Sequence, residues 1–309
     1  MNTPTAFKID IPQAKLDKIR ERVRTYPWDE MHMPIDSGWK YGTPLPYVKQ
    51  LANYWATKYD WRDSERQMNR FDHFKVTVDG QELHFIHEKG SGKNPQPLLM
   101  LHGWPYSFYS FIDLIEPLAH PERCGGEPDD GFDVVVASLP GYGFSSKPTQ
   151  PVGPQRIAGY MDRLMTDVLG YDRYLAQGGD WGGDIASRLG FDHATHVLGV
   201  HSHSFMVRHA GAVLGSGQTG LGPVTEEESA FVQREQDVFL DEGGYSIIQG
   251  TRPLSLSYAM MDSPVGAAAW MIEKFYAWSE RRSRAFEAIF TKDQLLTEVM
   301  VYLVTDTFK

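Results

Sequence analysis

Apolar residues recur at helical spacing in the first segment, IPQAKLDKIRERVRT, where Leu16, Ile19 and Val23 share one face and Pro12 stands at the start. That pattern predicts an amphipathic helix. Over residues 26–42 the periodicity lapses into a stretch rich in Pro, Gly and Trp, which is expected to wrap over other structure. Helical spacing returns in PLPYVKQLANYWATKYDW, with Val48, Leu51 and Trp55 in register and Thr43 placed to cap it. FDHFKVTVDGQELHFIHEKG then alternates at Phe74, Val76 and Val78, and again at Leu83 and Phe85. Between the two runs lies Asp79-Gly80, so the segment predicts a β-hairpin.

The pattern changes after that hairpin. PLLMLHGWP, DVVVASLPGYGFSS and RYLAQGGDWGG each begin as a short apolar run and end in a glycine-bearing loop. SFYSFIDLIEPLA, QRIAGYMDRLMTDVLG and GDIASRLGFD carry helical spacing between and after them, and HVLGVHSHSF reads as the next strand. Buried strands alternating with helices predict an α/β fold with a mostly parallel sheet covered on both faces. From about Met206 the chain reads as helical, with Thr225 and Glu228 spaced as a capping box and SPVGAAAWMIEKFYAWSE as a long amphipathic helix. The expected organisation is a meander and first hairpin over 1–92, an α/β core over 93–205, and a helical lid over 206–309.

Composition narrows the partners. Of 309 residues 41% are hydrophobic, enough for a sizeable core, and the formal net charge of −10 excludes a basic nucleic-acid or membrane-surface binder. The only cysteine is Cys124, so no internal disulfide can form, and a reducing, cytoplasmic setting is expected. The N-terminal MNTPTAFKIDIPQAK has no apolar core of the signal-peptide kind. No run approaches the roughly 20 apolar residues that span a bilayer. A soluble protein without a membrane anchor is expected.

The chemistry is concentrated in RYLAQGGDWGGDIASRLG. A phosphate loop would need Gly-Lys-Ser/Thr, and a dinucleotide fingerprint would need G-x-G-x-x-G after the strand; neither is present. GGDWG does fit a small-x-nucleophile-x-small turn between strand and helix, with Asp180 at the nucleophile position between Gly178 and Gly182. A carboxylate is ionised at neutral pH and attacks without a base. It displaces a leaving group at an sp³ carbon to form an ester that water must hydrolyse, so epoxides and alkyl halides are suitable substrates. Asp184 has a similar setting, between Gly182 and Ala186, but falls one turn into the helix, where it complements the dipole. The loop LHGWP, Leu101 to Pro105, ends the first buried strand. There the backbone N–H of Trp104, with that of Trp181, can form an oxyanion hole. His102, with Gly103 and Pro105, is read as fixing this loop, not as the catalytic base. The chemistry calls for no cofactor and no metal.

With both motifs in place, the chain resembles the epoxide hydrolases of the microsomal and juvenile-hormone type, within the α/β-hydrolase superfamily. The resemblance runs from WKYGTPLPYVKQLANYWATKYDWRDSERQMNRFDHF through LHGWPYSFYSF, LPGYGFSS and GGDWGGDIA to GYSIIQGTRPLSLSYAMMDSPVGAAAWMIEKF. It implies Asp180 as nucleophile, the Trp104 and Trp181 backbone as oxyanion donors, and Tyr245 as a lid tyrosine that protonates the epoxide oxygen. It implies a small hydrophobic epoxide and water as reactants. It also implies a second lid tyrosine, an acid and a histidine on later strands. These are expected beyond Lys309, because no histidine follows His209. His201 and His203 lie on or after the strand that follows the elbow and are given no route to the site. On this reading the 309-residue chain stops at the ester stage, and an open apolar sheet edge favours homo-oligomers. Two alternatives stand beside it. One is a haloalkane dehalogenase-like hydrolase with Trp181 as halide ligand; the other is a non-catalytic binding protein of the same fold.

Overall fold

The computed structural model describes residues 3–30, 38–203, 225–282 and 284–308. The elements run in the order β1 (Thr5–Phe7), α1 (Gln13–Arg24), α2 (Leu45–Thr57), α3 (Trp61–Met68), β2 (His73–Val78), β3 (Gln81–Glu88), β4 (Gln96–Leu101), α4 (Ile112–Ala119) and β5 (Phe132–Ala137). Then follow α5 (Pro154–Arg163), β6 (Tyr174–Gly178), α6 (Trp181–Asp192), β7 (Val197–Ser202), α7 (Glu226–Glu242), α8 (Gly244–Thr251), α9 (Pro253–Asp262), α10 (Pro264–Trp278) and α11 (Lys292–Thr305).

Leu16, Ile19 and Val23 are the buried residues of α1, as their spacing requires. The second helical pattern is interrupted. Asp60 accepts the Arg62 N–H and starts α3 as a separate helix. Thr43 does not cap α2, whose N-cap is Pro44; its hydroxyl donates instead to the carbonyl of Ala269 at 2.7 Å. At the β2–β3 hairpin Asp79 and Gly80 have φ of 49° and 82°, the left-handed pair that a two-residue turn between twisted strands demands.

The sheet has seven strands in the order β1-β2-β3-β5-β4-β6-β7. It is more evenly mixed than the apolar runs suggest. The pairs β1–β2, β2–β3 and β3–β5 are antiparallel, and β4–β5, β4–β6 and β6–β7 are parallel. The N-terminal hairpin extends the parallel half edge to edge, and the three-residue β1 lies outside it. The core lies under the parallel half, where Leu99, Leu101, Val135 and Ala137 meet Ile157 and Met161 of α5 and Ile185 and Leu189 of α6.

The compact units fall elsewhere than at 92 and between 205 and 309. One unit comprises Met1–Phe205 with Ser263–Phe308, and the other Met206–Asp262. Residues 263–308 thus fall in the first unit. The reason is α11, buried at every position from Leu295 to Val304. It packs against α2, α3 and α10 of the first unit. A helix apolar on all sides belongs to a core. Within the second unit α7 opens with the expected capping box of Thr225 and Glu228. Among the described residues no helix is long and apolar enough to cross a membrane.

Candidate active site

Strands β4 and β6 are parallel neighbours, with Leu101 paired to Gly178. Both end at the same edge, so the His102–Pro105 loop and the Gly179–Asp180 turn emerge side by side. Asp180 precedes α6 with φ 52° and ψ −127°, a conformation that costs a non-glycine residue of the order of 1–3 kcal/mol. Close packing holds it there. A Cβ on Gly182 would overlap the carbonyl oxygen of Leu101, and one on Gly103 would overlap the Asp180 carboxylate. The small residues around the aspartate are thus required by backbone approach across two strands.

The Trp104 N–H donates to Asp180 Oδ1 at 2.9 Å, and the Trp181 N–H lies on the same side of the elbow, near enough to the carboxylate to favour its charged form. Burial pushes the Asp180 pKa up; the two N–H groups oppose it, Asp184 adds to the rise, and His203 pulls it down. The Trp181 side chain remains 46% exposed. Asp184 sits in the first turn of α6, where its own N–H bonds the Asp180 carbonyl.

His102 is buried, accepting the Leu139 N–H at Nε2 and facing the Gly103 carbonyl with Nδ1 at 3.1 Å. These partners set the tautomer, and burial pushes its pKa down to about 4. A neutral imidazole with both nitrogens engaged ties β4's loop to the chain after β5.

Three tyrosines come near the carboxylate. Burial first, then the charge of Asp180, pushes Tyr106 up to about 12 and raises Tyr142. Tyr302 is raised chiefly by burial, with Asp180 among the smaller causes. Behind the loop α11 supplies a brace that the local sequence does not announce. The Tyr302 hydroxyl donates to the Tyr106 carbonyl at 2.6 Å, and the Ser107 hydroxyl to Glu298 Oε2 at 2.6 Å. Glu298 is buried, its Oε1 has no partner, and burial pushes its pKa up to about 8. The only signal in the sequence is a Glu inside an apolar run, LLTEVMVYLV.

His201 is paired with Gln177 along β6–β7 and is exposed. His203 does reach the elbow. Its imidazole lies directly over Gly179, and its backbone N–H donates to the Gly178 carbonyl. Tyr245 is the second residue of α8 in the other compact unit and is half-buried there.

The family model described as "Epoxide hydrolase N terminus" matches residues 4–111, and that of the "alpha/beta hydrolase fold" residues 96–227. A Stigmatella aurantiaca protein provisionally named an epoxide hydrolase is 38% identical over 98% of this chain and 67% of its own length. Epoxide hydrolase 1 of Sus scrofa is 32% identical over 97% of this chain and 69% of its own. This chain belongs to the epoxide hydrolase family. Its function is the hydrolysis of an epoxide, a cleavage of an ether bond. The crystal structure of juvenile hormone epoxide hydrolase from Bombyx mori superposes with a TM-score of 0.81 at 28% identity, covering 100% of this chain and 74% of that one. The chain spans about two thirds of the length of these sequence relatives, 67% and 69%. Epoxide hydrolases of this fold work through an aspartyl ester, the chemistry that an aspartate at the elbow allows.

Proposed function

We propose that Asp180 opens the epoxide ring and that Tyr245 protonates the oxygen released, the aspartyl ester then yielding a vicinal diol. The observation that carries this reading is the Trp104 N–H held 2.9 Å from Asp180 Oδ1. With Oδ1 engaged by the Trp104 N–H, Oδ2 is the attacking atom. A bond forms from Oδ2 to a ring carbon as that carbon's bond to the ring oxygen breaks. The departing alkoxide takes the phenolic proton of Tyr245, a group whose ordinary pKa near 10 suits it to assist an alkoxide.

The ester's carbonyl oxygen is then Oδ1, already in contact with the Trp104 N–H. Water adding at Cγ gives up one proton, which restores the Tyr245 phenol, and moves negative charge onto Oδ1, where the N–H groups of Trp104 and Trp181 hold it. Collapse breaks the Cγ–Oδ2 bond, and the proton left on the added oxygen passes to the departing one, giving the diol and the carboxylate. A single oxyanion donor is worth roughly 10²–10³-fold in such a step. Burial serves the first step as well, since a poorly hydrated carboxylate is the better nucleophile, while the N–H pair opposes its protonation.

Support for Tyr245 is its place in the GYSIIQ segment and at the start of α8. Aromatic surroundings at the HGWP loop, with Trp104 edge-on to Trp278 at 6.2 Å, favour a small hydrophobic epoxide. The single cysteine supports a cytoplasmic setting. Single-turnover consumption of an aryl epoxide tests the assignment. Asp180→Asn should abolish it, and Tyr245→Phe should slow it by roughly 10–10⁴-fold. An unchanged rate in Tyr245→Phe removes that residue from the mechanism. Halide release from a chloroalkane at comparable rate would make this a dehalogenase instead.

A further inference from the structure

At the opposite end of β6 a second carboxylate gathers nitrogen donors. Asp162, near the end of α5, is 5% exposed. His196 Nδ1 lies 2.9 Å from its Oδ1 and 3.1 Å from its Oδ2, and His193 Nδ1 lies 3.1 Å from Oδ2. One ligand atom from each residue falls within 4.8 Å of the others. We propose that Asp162, His193 and His196 form a Zn²⁺-binding site that ties α5 to the turn between α6 and β7. The inference does not depend on how the epoxide is opened.

The donor set suits the ion. Zinc takes imidazole nitrogen at about 2.0–2.1 Å and carboxylate oxygen at about 2.0–2.2 Å in a tetrahedral arrangement. Tetrahedral angles at those lengths put ligand atoms about 3.3 Å apart. The spacings of 2.9–3.1 Å need only a few tenths of an ångström of widening. Each imidazole presents Nδ1 to the carboxylate, so a shift of the proton to Nε2 turns two donors into two ligands without a change of rotamer.

The frame around the cluster is rigid. The His196 and Val197 N–H groups both donate to the His193 carbonyl, at 2.9 and 3.2 Å, and the Tyr174 N–H donates to the His196 carbonyl at 2.9 Å. The Tyr174 hydroxyl donates to Asp162 Oδ1 at 2.9 Å. This is the kind of outer contact that orients a ligating carboxylate. The carboxylate is enclosed, whereas the His193 and His196 side chains keep 27% and 40% of their exposure. That open side gives the ion an entry path and water the fourth position. Two imidazoles favour zinc over the oxygen-seeking Mg²⁺ and Ca²⁺. Strand β6 separates the cluster from Asp180 by about 3.3 Å for each of its residues, so the ion's role is structural.

The untagged 309-residue chain, stripped with chelator, tests this by titration with Zn²⁺ against a chromophoric competitor. The expected result is one tightly held ion per chain, lost in the His193→Ala/His196→Ala variant and retained in His201→Ala/His203→Ala. Tyr174→Phe should weaken the affinity by roughly 10–100-fold. Co²⁺ in place of Zn²⁺ should show the visible bands of a tetrahedral site in the native chain. Circular dichroism of the double variant establishes that it is folded; should it not fold, His193→Gln carries the same expectation. No binding by the native chain, or undiminished binding in a folded variant lacking these imidazoles, would overturn the site and leave the cluster a hydrogen-bonded clamp.

Discussion

Asp180 and Asp162 lie at opposite ends of β6, and each is held by a different kind of donor. Asp180 takes backbone N–H groups from Trp104 and Trp181, in a turn forced to φ 52°. Asp162 takes side chains only, two imidazoles and the Tyr174 phenol, within ordinary helix. Backbone donors are fixed by the strand ends and cannot rotate to follow the carboxylate. On the proposed mechanism they keep their positions as Asp180 becomes an ester. Side-chain donors bond both oxygens of Asp162 and leave it nothing to attack with. On the proposed mechanism, burial alone does not mark the reactive carboxylate; the source of its hydrogen bonds does.

Exchanging the two aspartates for neutral residues gives the sharpest contrast. Asp180→Asn should eliminate epoxide consumption with little loss of folding stability. Asp162→Asn should leave consumption close to the native rate, as measured by single-turnover product analysis. Loss of alkylation in both would dissolve the distinction between the two ends of the strand.

Glu298 supplies the intermediate case, a buried carboxyl bonded by Ser107 alone and with one oxygen unpartnered. Its folded pKa of about 8 exceeds its ordinary 4.5, so between those values the folded chain holds a proton that the unfolded chain has released. Stability should consequently be greatest near and below pH 4.5 on this group's account and fall as pH rises toward 8, by up to about 1.4 kcal/mol per pH unit. Glu298→Gln should remove that slope in denaturant titrations repeated across the window. An identical slope in the variant would show that Glu298 is ionised when folded.

Gly103→Ala probes the backbone cradle. Its methyl would overlap the Asp180 carboxylate, and a displacement of about 1 Å at a reacting group costs roughly 10²-fold. The alkylation rate should fall by about that factor while the variant stays folded. The smallest expected effect is at the other end of the strand. Asp162→Ala leaves the buried Tyr174 hydroxyl without its acceptor, at a cost of about 1–3 kcal/mol, readable as a lowered melting temperature.

Those residues also mark where the sequence was readable. Asp180, the HGWP loop, the Asp79-Gly80 turn and the Thr225–Glu228 box are local features, in which the residues that cause the geometry are neighbours in the chain. Placing the HGWP loop beside the elbow needed only one inference beyond that, the adjacency of two parallel strands. The brace from α11 joins Tyr302 to Tyr106 and Glu298 to Ser107 across separations of 196 and 191 residues, for which no local pattern exists. The Asp162 cluster was hidden for the same reason, as α5 and the α6–β7 turn meet only once the sheet has formed. Helical periodicity shows which face of a helix is apolar and not what covers it. α10 and α11 belong to the first unit. The three-residue β1 was too short to show an alternation, and the antiparallel share of the sheet was underestimated with it.

The most direct measurement is intact-protein and peptide mass spectrometry of the chain quenched with acid after brief mixing with an epoxide. A mass increase equal to one epoxide, mapped to Asp180 and absent from Asp180→Asn, is the predicted result. An adduct on any other residue, or one that persists when Asp180 is asparagine, would contradict it.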